Sequence, residues 1–382
     1  MRVFHVHESF QELPALPDAL PSEGYLWVSS GRREFEVQQG QLQETLQGWG
    51  IGPLVDLHVA DLLNHQLPSQ FDYTSWYDLL VFRRLAAGSG SSSLFVDSEH
   101  GTASTARQAL ESIDTSPVGF ALFDRVLITV HPTECQVREF FVSRLGQLGH
   151  APPPAREAPA AGPEGEARPE TKAIGPRLPP NPADLMLRIV NHMVDGYLEL
   201  RRLLTRQLGY LQGELLNPRS RFDNWQALLE SRNALHLLED TCEDQRSAIQ
   251  EWIDALAEWP PETGAPAQRE RELLRVRSRD VLEHIERVLG HVRRLEHSAE
   301  SSVQMHFSAQ SNRTNDIMRT LTVLTAIFMP LNLVTGFFGM NFDFLPLIHS
   351  GLGFWITTVA MVVLAIGLVL FFRSKRYLDQ GR

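Results

Sequence analysis

The sequence predicts an α/β domain followed by long helices and a hairpin of two membrane-spanning helices. Two runs near the C-terminus, residues 320–342 and 350–372, each contain 23 residues without Asp, Glu, Lys, Arg or His. Each run exceeds the roughly 20 apolar residues that cross a hydrocarbon core about 30 Å thick. Before residue 150, short β-branched and aromatic runs alternate with helical patterns, which predicts the α/β domain. A wholly soluble enzyme is therefore not expected.

Residues 1–150 are expected to form this α/β domain. Its strand candidates are short runs bounded by turn residues, at Tyr25–Val28, Asp78–Phe82, Ser93–Val96 and Arg125–Val130. Helical patterns lie between them, at residues 41–49, 59–64 and 134–148. The N-terminal residues lack the apolar core of a signal peptide, so the domain is expected to stay in the cytoplasm.

A proline-rich segment follows. Residues 151–182 contain ten prolines, which neither hold a helix nor bury a core, so a disordered or extended linker is expected. Residues 183–262 are predicted to form a cytoplasmic helical hairpin, because two long helical segments are separated by Asn217–Pro218.

The next helix is predicted to be exceptionally long. After Gln268 no proline occurs until Pro330, so one helix of roughly 70 residues and about 100 Å is expected. Because this length exceeds any bilayer, residues 263–318 are expected to form a cytoplasmic stalk that continues into the first span over 319–342.

The two spans are predicted to form an antiparallel hairpin. Their connection over 343–349 has seven residues and no Lys or Arg, and the second span over 350–372 is followed by a basic tail over 373–382. The positive-inside rule therefore places both termini in the cytoplasm of a multi-pass inner-membrane protein. The basic residues of the tail are Arg373, Lys375 and Arg376.

The charge of the chain excludes one class of partner. Its formal net charge of −11 argues against nucleic acid, which requires a basic surface. Cys135 and Cys242 form neither a disulfide framework nor a metal-ligand pair, and no resident cofactor is expected.

Polar and small residues form one stripe along the first span. They follow one another at alternating steps of three and four, which keeps them on one side of a helix: Asn315, Met318, Thr322, Thr325, Met329, Asn332, Gly336 and Gly339. The second span has no such stripe. Because two helices cannot enclose a pore, several copies are expected to surround an axis lined by the first span. Alternatively, Thr and Gly only assist helix packing.

The chemistry of the stripe favours a hydrated cation. Neutral amide, hydroxyl and carbonyl oxygens suit an ion that keeps its water shell, as Mg2+ does because it dehydrates reluctantly. A potential of about 100 mV contributes about 4.6 kcal/mol when two charges move inward. No Gly-Lys-Ser/Thr phosphate loop is present in the sequence.

The outer end of the first span carries a specific motif. Gly339-Met340-Asn341 lies within residues 338–346, which read FGMNFDFLP, and is preceded by SNRTN at 311–315 and IFMPL at 327–331. Together with the two-span topology, these segments resemble the CorA family of divalent-cation channels. The resemblance is strongest over residues 268–378.

The resemblance implies a funnel-shaped homopentamer that admits hydrated Mg2+, often with Co2+ or Ni2+, through a lipid bilayer. Asn341 would supply a ring of amide oxygens that selects the hydrated ion, with Gly339 and Met340 shaping that turn. Met329 and Leu321 would be apolar constrictions that gate by dewetting. The positions that line or constrict the pore in the family correspond here to Asn315, Met318, Leu321, Met329 and Asn332.

The resemblance also implies closure by cytoplasmic Mg2+ bound between protomers. The segment RDVLEH at residues 279–284 makes Asp280 the candidate ligand on the stalk and Glu283 its neighbour, with Asp61 as the partner from the α/β domain. The ion would neutralise carboxylates that otherwise repel one another. Alternatively, Asp280 is a solvated helix acid.

One departure concerns the outer loop, where magnesium channels usually carry an acid after the proline. Leu347 stands there, which leaves Asp343 as the carboxylate of the loop, with His349 nearby. Recruitment of cations by an acidic ring is therefore in question.

Three rival functions are considered. The nearest is a proton-coupled Zn2+ transporter of the same superfamily, with stalk histidines His284, His291 and His297 as soft-metal ligands; Met340 favours the magnesium type. The second is a non-conducting membrane-anchored sensor or scaffold. An enzyme is the weakest, because no zinc-protease His pair, nucleophile elbow or phosphate loop occurs in the sequence.

Overall fold

The computed structural model describes residues 1–87, 113–133, 135–150, 177–216, 225–259, 264–340 and 351–375. The chain divides into two units, Met1–Ala299 and Glu300–Arg382. Several predicted features lie outside the described residues, among them the Ser93–Val96 strand, residues 151–176 of the linker, the Asn217–Pro218 turn and the outer loop at 343–349.

A mixed seven-stranded sheet lies in the first unit. Its strands are Arg2–Val6 (β1), Phe10–Leu13 (β2), Tyr25–Gly31 (β3), Gln70–Tyr73 (β4), Asp78–Arg83 (β5), Pro117–Leu122 (β8) and Val126–His131 (β9). A separate pair is formed by Ala86–Ala87 (β6) and Ile113–Asp114 (β7). The order is β2-β1-β3-β9-β8-β5-β4; β3 and β9 are parallel, and the other neighbours are antiparallel.

Both faces of this sheet are apolar and covered. Along β3, Tyr25 and Trp27 belong to one apolar cluster, whereas Leu26 and Val28 belong to the other, as the two-residue period of a strand requires. Helices from Arg32–Gly48 (α1) and Asp56–Leu63 (α2) cover the second cluster. The remaining helices of the unit cover the first: Gln136–His150 (α3), Pro182–Asp195 (α4), Tyr197–Leu216 (α5), Trp225–Glu258 (α6) and the beginning of Ala265–Phe338 (α7).

One glycine permits close packing of α2 on the sheet. A Cβ atom added at Gly119 of β8 would lie 2.3 Å from Cδ2 of Leu62. Because real Cβ contacts are longer, α2 approaches this strand only where a side chain is missing. The predicted helix over 59–64 is this element, which begins earlier, at Asp56.

The predicted linker ends before residue 182. Leu178 packs against the apolar cluster, and the side chain of Asn181 accepts a hydrogen bond from the Asp184 N–H at 2.8 Å. Pro182 is the first residue of α4, where its missing N–H costs nothing because the first turn has no intrahelical acceptor for it. Residues 177–182 therefore belong to the folded unit.

The first of the two helical segments predicted for this hairpin, which precedes Asn217, is interrupted once. Helix α4 ends at Asp195 and α5 begins at Tyr197, with Gly196 between them. Glycine lowers helix stability because it loses more backbone freedom on folding than other residues. The predicted hairpin region thus contains three described helices, α4, α5 and α6.

Helix α7 runs without interruption from Ala265 to Phe338, as the sequence predicts, and contains Pro330. Its residues in the first unit bury an apolar stripe at helical spacing, formed by Leu274, Val281, Ile285, Val288 and Val292.

The second unit contains the end of α7 and the helix Gly351–Ser374 (α8). Its apolar side chains are mostly exposed: Leu333 by 74%, Phe354 by 65% and Trp355 by 67%. Exposed apolar area of this extent requires cover from lipid or from other chains.

Candidate ion pathway and metal sites

The predicted pore-lining residues lie on the free side of α7. All of them are exposed, namely Asn315, Met318, Leu321, Thr322, Thr325, Met329 and Asn332. The opposite side of the same helix is less exposed: Val323 is buried at 2%, and Ile327 and Val334 are half-buried. At 100° per residue these three lie roughly opposite the stripe. The polar stripe is thus on the side that the unit leaves uncovered.

The threonine hydroxyls of the stripe donate to backbone carbonyls one turn earlier. The Thr322 hydroxyl donates to the Met318 carbonyl at 2.8 Å, and the Thr325 hydroxyl donates to the Leu321 carbonyl at 2.9 Å. Because each hydroxyl has one hydrogen, its oxygen remains an acceptor. These threonines are satisfied without water and still present oxygen to a cation. Thr357 of α8 makes the same type of bond, so the bond alone does not identify a pore.

Asn332 is more informative than the threonines. Its side chain is exposed, and within the described part of the chain it has no hydrogen-bond partner. An amide in hydrocarbon is costly unless it finds a polar partner or water. Pro330, two residues earlier, has no N–H for the Ala326 carbonyl, which leaves a second acceptor in this part of the helix.

The end of α7 forms a tight turn. The Gly339 N–H donates to the Thr335 carbonyl at 2.9 Å, and the Met340 N–H donates to the Phe337 carbonyl at 3.4 Å. A Cβ atom at Gly339 would lie 3.0 Å from the Thr335 oxygen, so this turn favours glycine. Outside the described residues lie Asn341, Asp343 and His349.

The basic tail begins at the end of α8. Arg373 occupies the last turn of α8, and the Lys375 N–H donates to the Phe371 carbonyl at 3.0 Å. Positive charge is favourable here because the C-terminus of a helix carries partial negative charge. Arg376 lies outside the described residues.

The candidate regulatory residue Asp280 lies beside a histidine and a second carboxylate. His284 places Nε2 3.8 Å from the Asp280 carboxylate and Nδ1 3.7 Å from the Asp195 carboxylate. Both carboxylates are at least 48% exposed. The imidazole therefore bridges α7 and the end of α4, and Asp195 joins this group although sequence reasoning missed it.

A cavity of about 330 Å3 adjoins this group, and Arg188 and Arg277 line it together with Asp195 and Asp280. Both arginines form ion pairs with the buried Asp184, and burial lowers the pKa of each guanidinium. Asp184 offsets one of the two guanidinium charges, so one positive charge remains in the cavity beside Asp195 and Asp280.

The other two regulatory candidates lie on different helices. Glu283 is exposed on α7. Asp61 on α2 accepts a hydrogen bond from the Gln70 side chain at 3.4 Å. Helices α2 and α7 belong to apolar clusters on opposite faces of the sheet, so Asp61 and Asp280 of one chain do not share a site. Their predicted pairing requires two copies.

The histidines proposed as soft-metal ligands do not come together. His284 lies between two carboxylates. Nδ1 of His291 is hydrogen-bonded to the Tyr197 hydroxyl at 2.8 Å. Burial and the nearby Arg201 and Arg294 guanidinium groups lower the pKa of His291. His297 is exposed.

A different histidine lies in a metal-ligand group. His236, Glu239 and Glu296 each place one ligand atom within 4.8 Å of the others. This group was missed because Glu296 lies far from the other two in the sequence.

The fold and the free polar stripe define a class of protein. It has an α/β domain, a helix of 74 residues and two helices long and apolar enough to cross a membrane, whose apolar windows are 6% and 0% buried. The family model described as CorA-like Mg2+ transporter protein matches residues 170–376. Since the match covers more than half of the chain, the protein belongs to this family, which is one of transporters rather than enzymes.

Curated relatives support the same family. The chain is 25% identical over 194 residues to the cobalt/magnesium transport protein CorA of Thermotoga maritima, covering 51% of this chain and 52% of that protein. It is 34% identical over 99 residues to the putative metal ion transporter YfjQ of Bacillus subtilis, covering 24% of this chain and 31% of that one. The matches thus span about half the length of these relatives or less.

Solved structures share the fold over nearly the whole chain. The complete structure of the CorA magnesium transporter from Methanocaldococcus jannaschii has a TM-score of 0.66 at 17% identity, covering 97% of this chain and 96% of that one. The full-length CmaX protein has a TM-score of 0.53 at 16% identity, with coverage of 98% and 96%. The predicted fold class is confirmed.

Proposed function

We propose that this chain is one subunit of a homopentameric channel that carries Mg2+, and also Co2+ or Ni2+, into the cell. The observation that carries the proposal is the free polar stripe of α7, which presents Asn and Thr oxygens on the side opposite the buried Val323. Membership in a transporter family supports it. Copies arranged around an axis would cover this side and enclose water.

Selectivity is proposed to come from hydrated-ion recognition. The stripe offers neutral oxygens and no carboxylate. These oxygens would not compensate a divalent cation for the free energy of losing its bound water. Mg2+ keeps its inner waters, and amide oxygens accept hydrogen bonds from them. Asn341, next to the turn at Gly339 and Met340, is the proposed selective ring.

Gating is proposed at two apolar side chains on the side of α7 that carries the stripe. Met329 and Leu321 are exposed by 69% and 60% on the free side of α7. When rings of such side chains approach one another, the space between them loses water and an ion no longer passes.

The inward direction of flux follows from the proposed topology. The end of α8, which carries the basic residues Arg373 and Lys375, would face the cytoplasm, and so would both chain termini. The short loop between the two spans would lie outside. In the inner membrane of a cell, the negative interior then draws the dication inward without a nucleotide.

Closure is proposed to depend on cytoplasmic Mg2+ bound at Asp280. The carboxylates of Asp195 and Asp280 flank His284, and Asp61 and Glu283 would complete the site between copies. Loss of the ion would leave facing carboxylates that repel, so the copies would separate and the path would open.

The experiment is flux into liposomes that contain the purified protein. We expect Asn341→Ala to lower Mg2+ uptake at least tenfold, while Phe354→Ala, on the exposed surface of α8, leaves it within twofold. Both variants must remain folded by circular dichroism. Equal uptake by the Asn341→Ala variant would favour a non-conducting sensor or scaffold and would overturn the proposal.

Regulation is tested in the same liposomes. Millimolar Mg2+ inside is expected to suppress flux in the wild type and to suppress it several-fold less in Asp280→Asn. If the wild type is not suppressed, the regulatory role of Asp280 is wrong even though the pore remains.

A proton-coupled Zn2+ transporter is the second candidate, favoured by Leu347 in place of an outer-loop acid. An imposed pH gradient separates the two functions. Zn2+ uptake that follows the gradient supports this candidate, whereas Mg2+ uptake that follows membrane potential alone supports the channel.

A further inference from the structure

A group of three metal-ligating side chains lies between two helices of the first unit. His236 and Glu239 are three residues apart on α6, so they share a helix face, and Glu296 reaches them from α7. Nε2 of His236 lies 3.2 Å from the Glu296 carboxylate. Ligands bound at about 2.0 Å in a tetrahedron lie roughly 3.3 Å apart, so this pair has the spacing that a bound metal requires.

The two carboxylates of the group lie close together. One ligand oxygen of Glu239 and one of Glu296 lie within 4.8 Å of each other, and a bound cation would relieve the repulsion between two carboxylates at this distance. Glu239 is also held by Arg293, whose Nε lies 2.6 Å from one carboxylate oxygen. A carboxylate has two oxygens, so the second remains available to a metal.

The charge around the group favours a dication. Arg293 pairs with both Glu239 and Glu243, so with Glu296 the group and its neighbours contain three carboxylates and one guanidinium. The local charge is therefore about −2 before His236 is counted. The group is also accessible: His236 is 49% exposed, and the Glu239 and Glu296 side chains are each 21% exposed.

The identity of the ligands selects the class of metal. Imidazole nitrogen is a good ligand for Zn2+, Ni2+ and Co2+, whereas Mg2+ prefers oxygen and near-octahedral geometry. One histidine and two carboxylates supply three ligands and leave a further position for water. This group therefore differs in chemistry from the neutral oxygens proposed for the ion path.

We propose that His236, Glu239 and Glu296 form a binding site for a first-row transition-metal dication, with Zn2+ preferred over Mg2+, that links α6 to α7. The site is independent of the proposed transport function, since it uses none of the residues assigned to the pore or to closure by Mg2+. It gives the domain before the apolar helices a means of responding to a metal other than Mg2+.

The test is a titration of the full-length protein, purified in detergent and stripped of metal, with Co2+ as the probe. The visible absorption of Co2+ distinguishes nitrogen-containing low-coordinate sites from octahedral oxygen sites. We expect one Co2+ per chain with the former spectrum, displaced by equimolar Zn2+ and retained in a hundredfold excess of Mg2+.

Variants separate this site from other Co2+ binding. His236→Ala is expected to abolish the band, and Glu296→Gln to weaken Co2+ binding at least tenfold. His297→Ala, a histidine next to Glu296 in the sequence, serves as the matched control and should leave the band unchanged. Zn2+ should raise the unfolding temperature of the wild type and of His297→Ala, and not that of His236→Ala.

Three results would overturn the proposal. The first is a wild-type protein without the band, which would mean that the group is an ion-pair cluster only. The second is equal binding by the His236→Ala and His297→Ala variants. The third is displacement of Co2+ by an equimolar amount of Mg2+.

Discussion

The two units of this chain differ in how far their apolar side chains are buried. In the first unit, Trp27 and Phe82 are completely buried between the sheet and its helices. In the second, Leu333 is 74% exposed and Trp355 is 67% exposed. The first unit covers its apolar surface with its own residues, whereas the second leaves it for lipid or for other copies. The difference indicates that folding of the first unit and assembly of the second depend on different surroundings.

The largest expected effect compares two tryptophans. Trp27 is fully buried, its ring centroid lies 5.0 Å from that of Phe4, and its indole N–H donates to the Thr129 hydroxyl at 3.0 Å. Trp27→Ala should lower the free energy of unfolding by about 4 kcal/mol, because it leaves a large cavity. Trp355→Ala should change it by less than about 0.5 kcal/mol.

Denaturant titration in detergent, followed by far-ultraviolet circular dichroism, measures both variants. If Trp27→Ala and Trp355→Ala lost similar stability, the contrast between a self-covered unit and an uncovered one would be wrong.

A second comparison contrasts the two sides of α7. Val323 is 2% exposed and Leu321 is 60% exposed. Val323→Asn should destabilise the second unit by about 2 kcal/mol, because it buries an amide without a partner. Leu321→Asn should preserve stability. It should raise Mg2+ flux several-fold when millimolar internal Mg2+ holds the channel closed, because a ring of polar side chains does not lose its water.

Thermal unfolding and liposome flux are measured on both variants. The assignment of sides fails if Val323→Asn changes only flux while Leu321→Asn changes only stability.

The third effect is a dependence of stability on pH within the first unit. Burial of His131, helped by Arg138 and Arg84, lowers its pKa to about 3. Below its ordinary pKa of about 6.5 the unfolded chain binds a proton that the folded chain does not. Stability is therefore lost as pH falls from about 6.5 towards 3, by about 2 kcal/mol at pH 5. His131→Gln should remove this loss in denaturant titrations at pH 7 and pH 5.

Asp78 gives a control of opposite sign. Burial, together with the Asp124 carboxylate, raises its pKa to about 6. Between about pH 4 and 6 the folded chain therefore binds the extra proton, and acidification stabilises it. Asp78→Asn should steepen the loss at low pH, whereas His131→Gln should flatten it. Equal slopes in both variants would contradict the assigned burial.

The smallest expected effect is at the surface of the same unit. Arg2 contacts Glu12 at 2.8 Å and Glu139 at 3.1 Å, and all three side chains are at least 31% exposed. Arg2→Ala should cost only about 0.5 kcal/mol, because water and salt screen exposed pairs. The loss should shrink in 1 M NaCl, and a loss above about 2 kcal/mol would show that this pair is not screened.

Sequence reasoning predicts those parts of the fold that local patterns encode. The absence of proline between Gln268 and Pro330 predicts the long helix, and the charge-free runs predict the apolar helices. Strand β8 was missed because Pro117 and Gly119 disfavour strands locally. Its glycine is explained by the contact with Leu62, which only the folded structure reveals.

The candidate sites likewise contain parts that local sequence patterns encode and parts that depend on contacts between helices. The stripe from Asn315 to Asn332 follows from helical spacing alone, and the structure places it on the free side of α7. The contacts of His284 with Asp195 and of His236 with Glu296 join different helices. No periodicity within one helix encodes such contacts, so they could not be predicted.

The most direct test of the account asks whether the polar stripe faces water. Single cysteines are introduced at Asn332, on the stripe, and at Val334, on the opposite side, after replacement of Cys135 and Cys242. A charged, water-soluble thiol reagent is then applied during Mg2+ flux into liposomes. We expect rapid modification and block in Asn332→Cys, with neither in Val334→Cys. Block in Val334→Cys with no reaction in Asn332→Cys would contradict it.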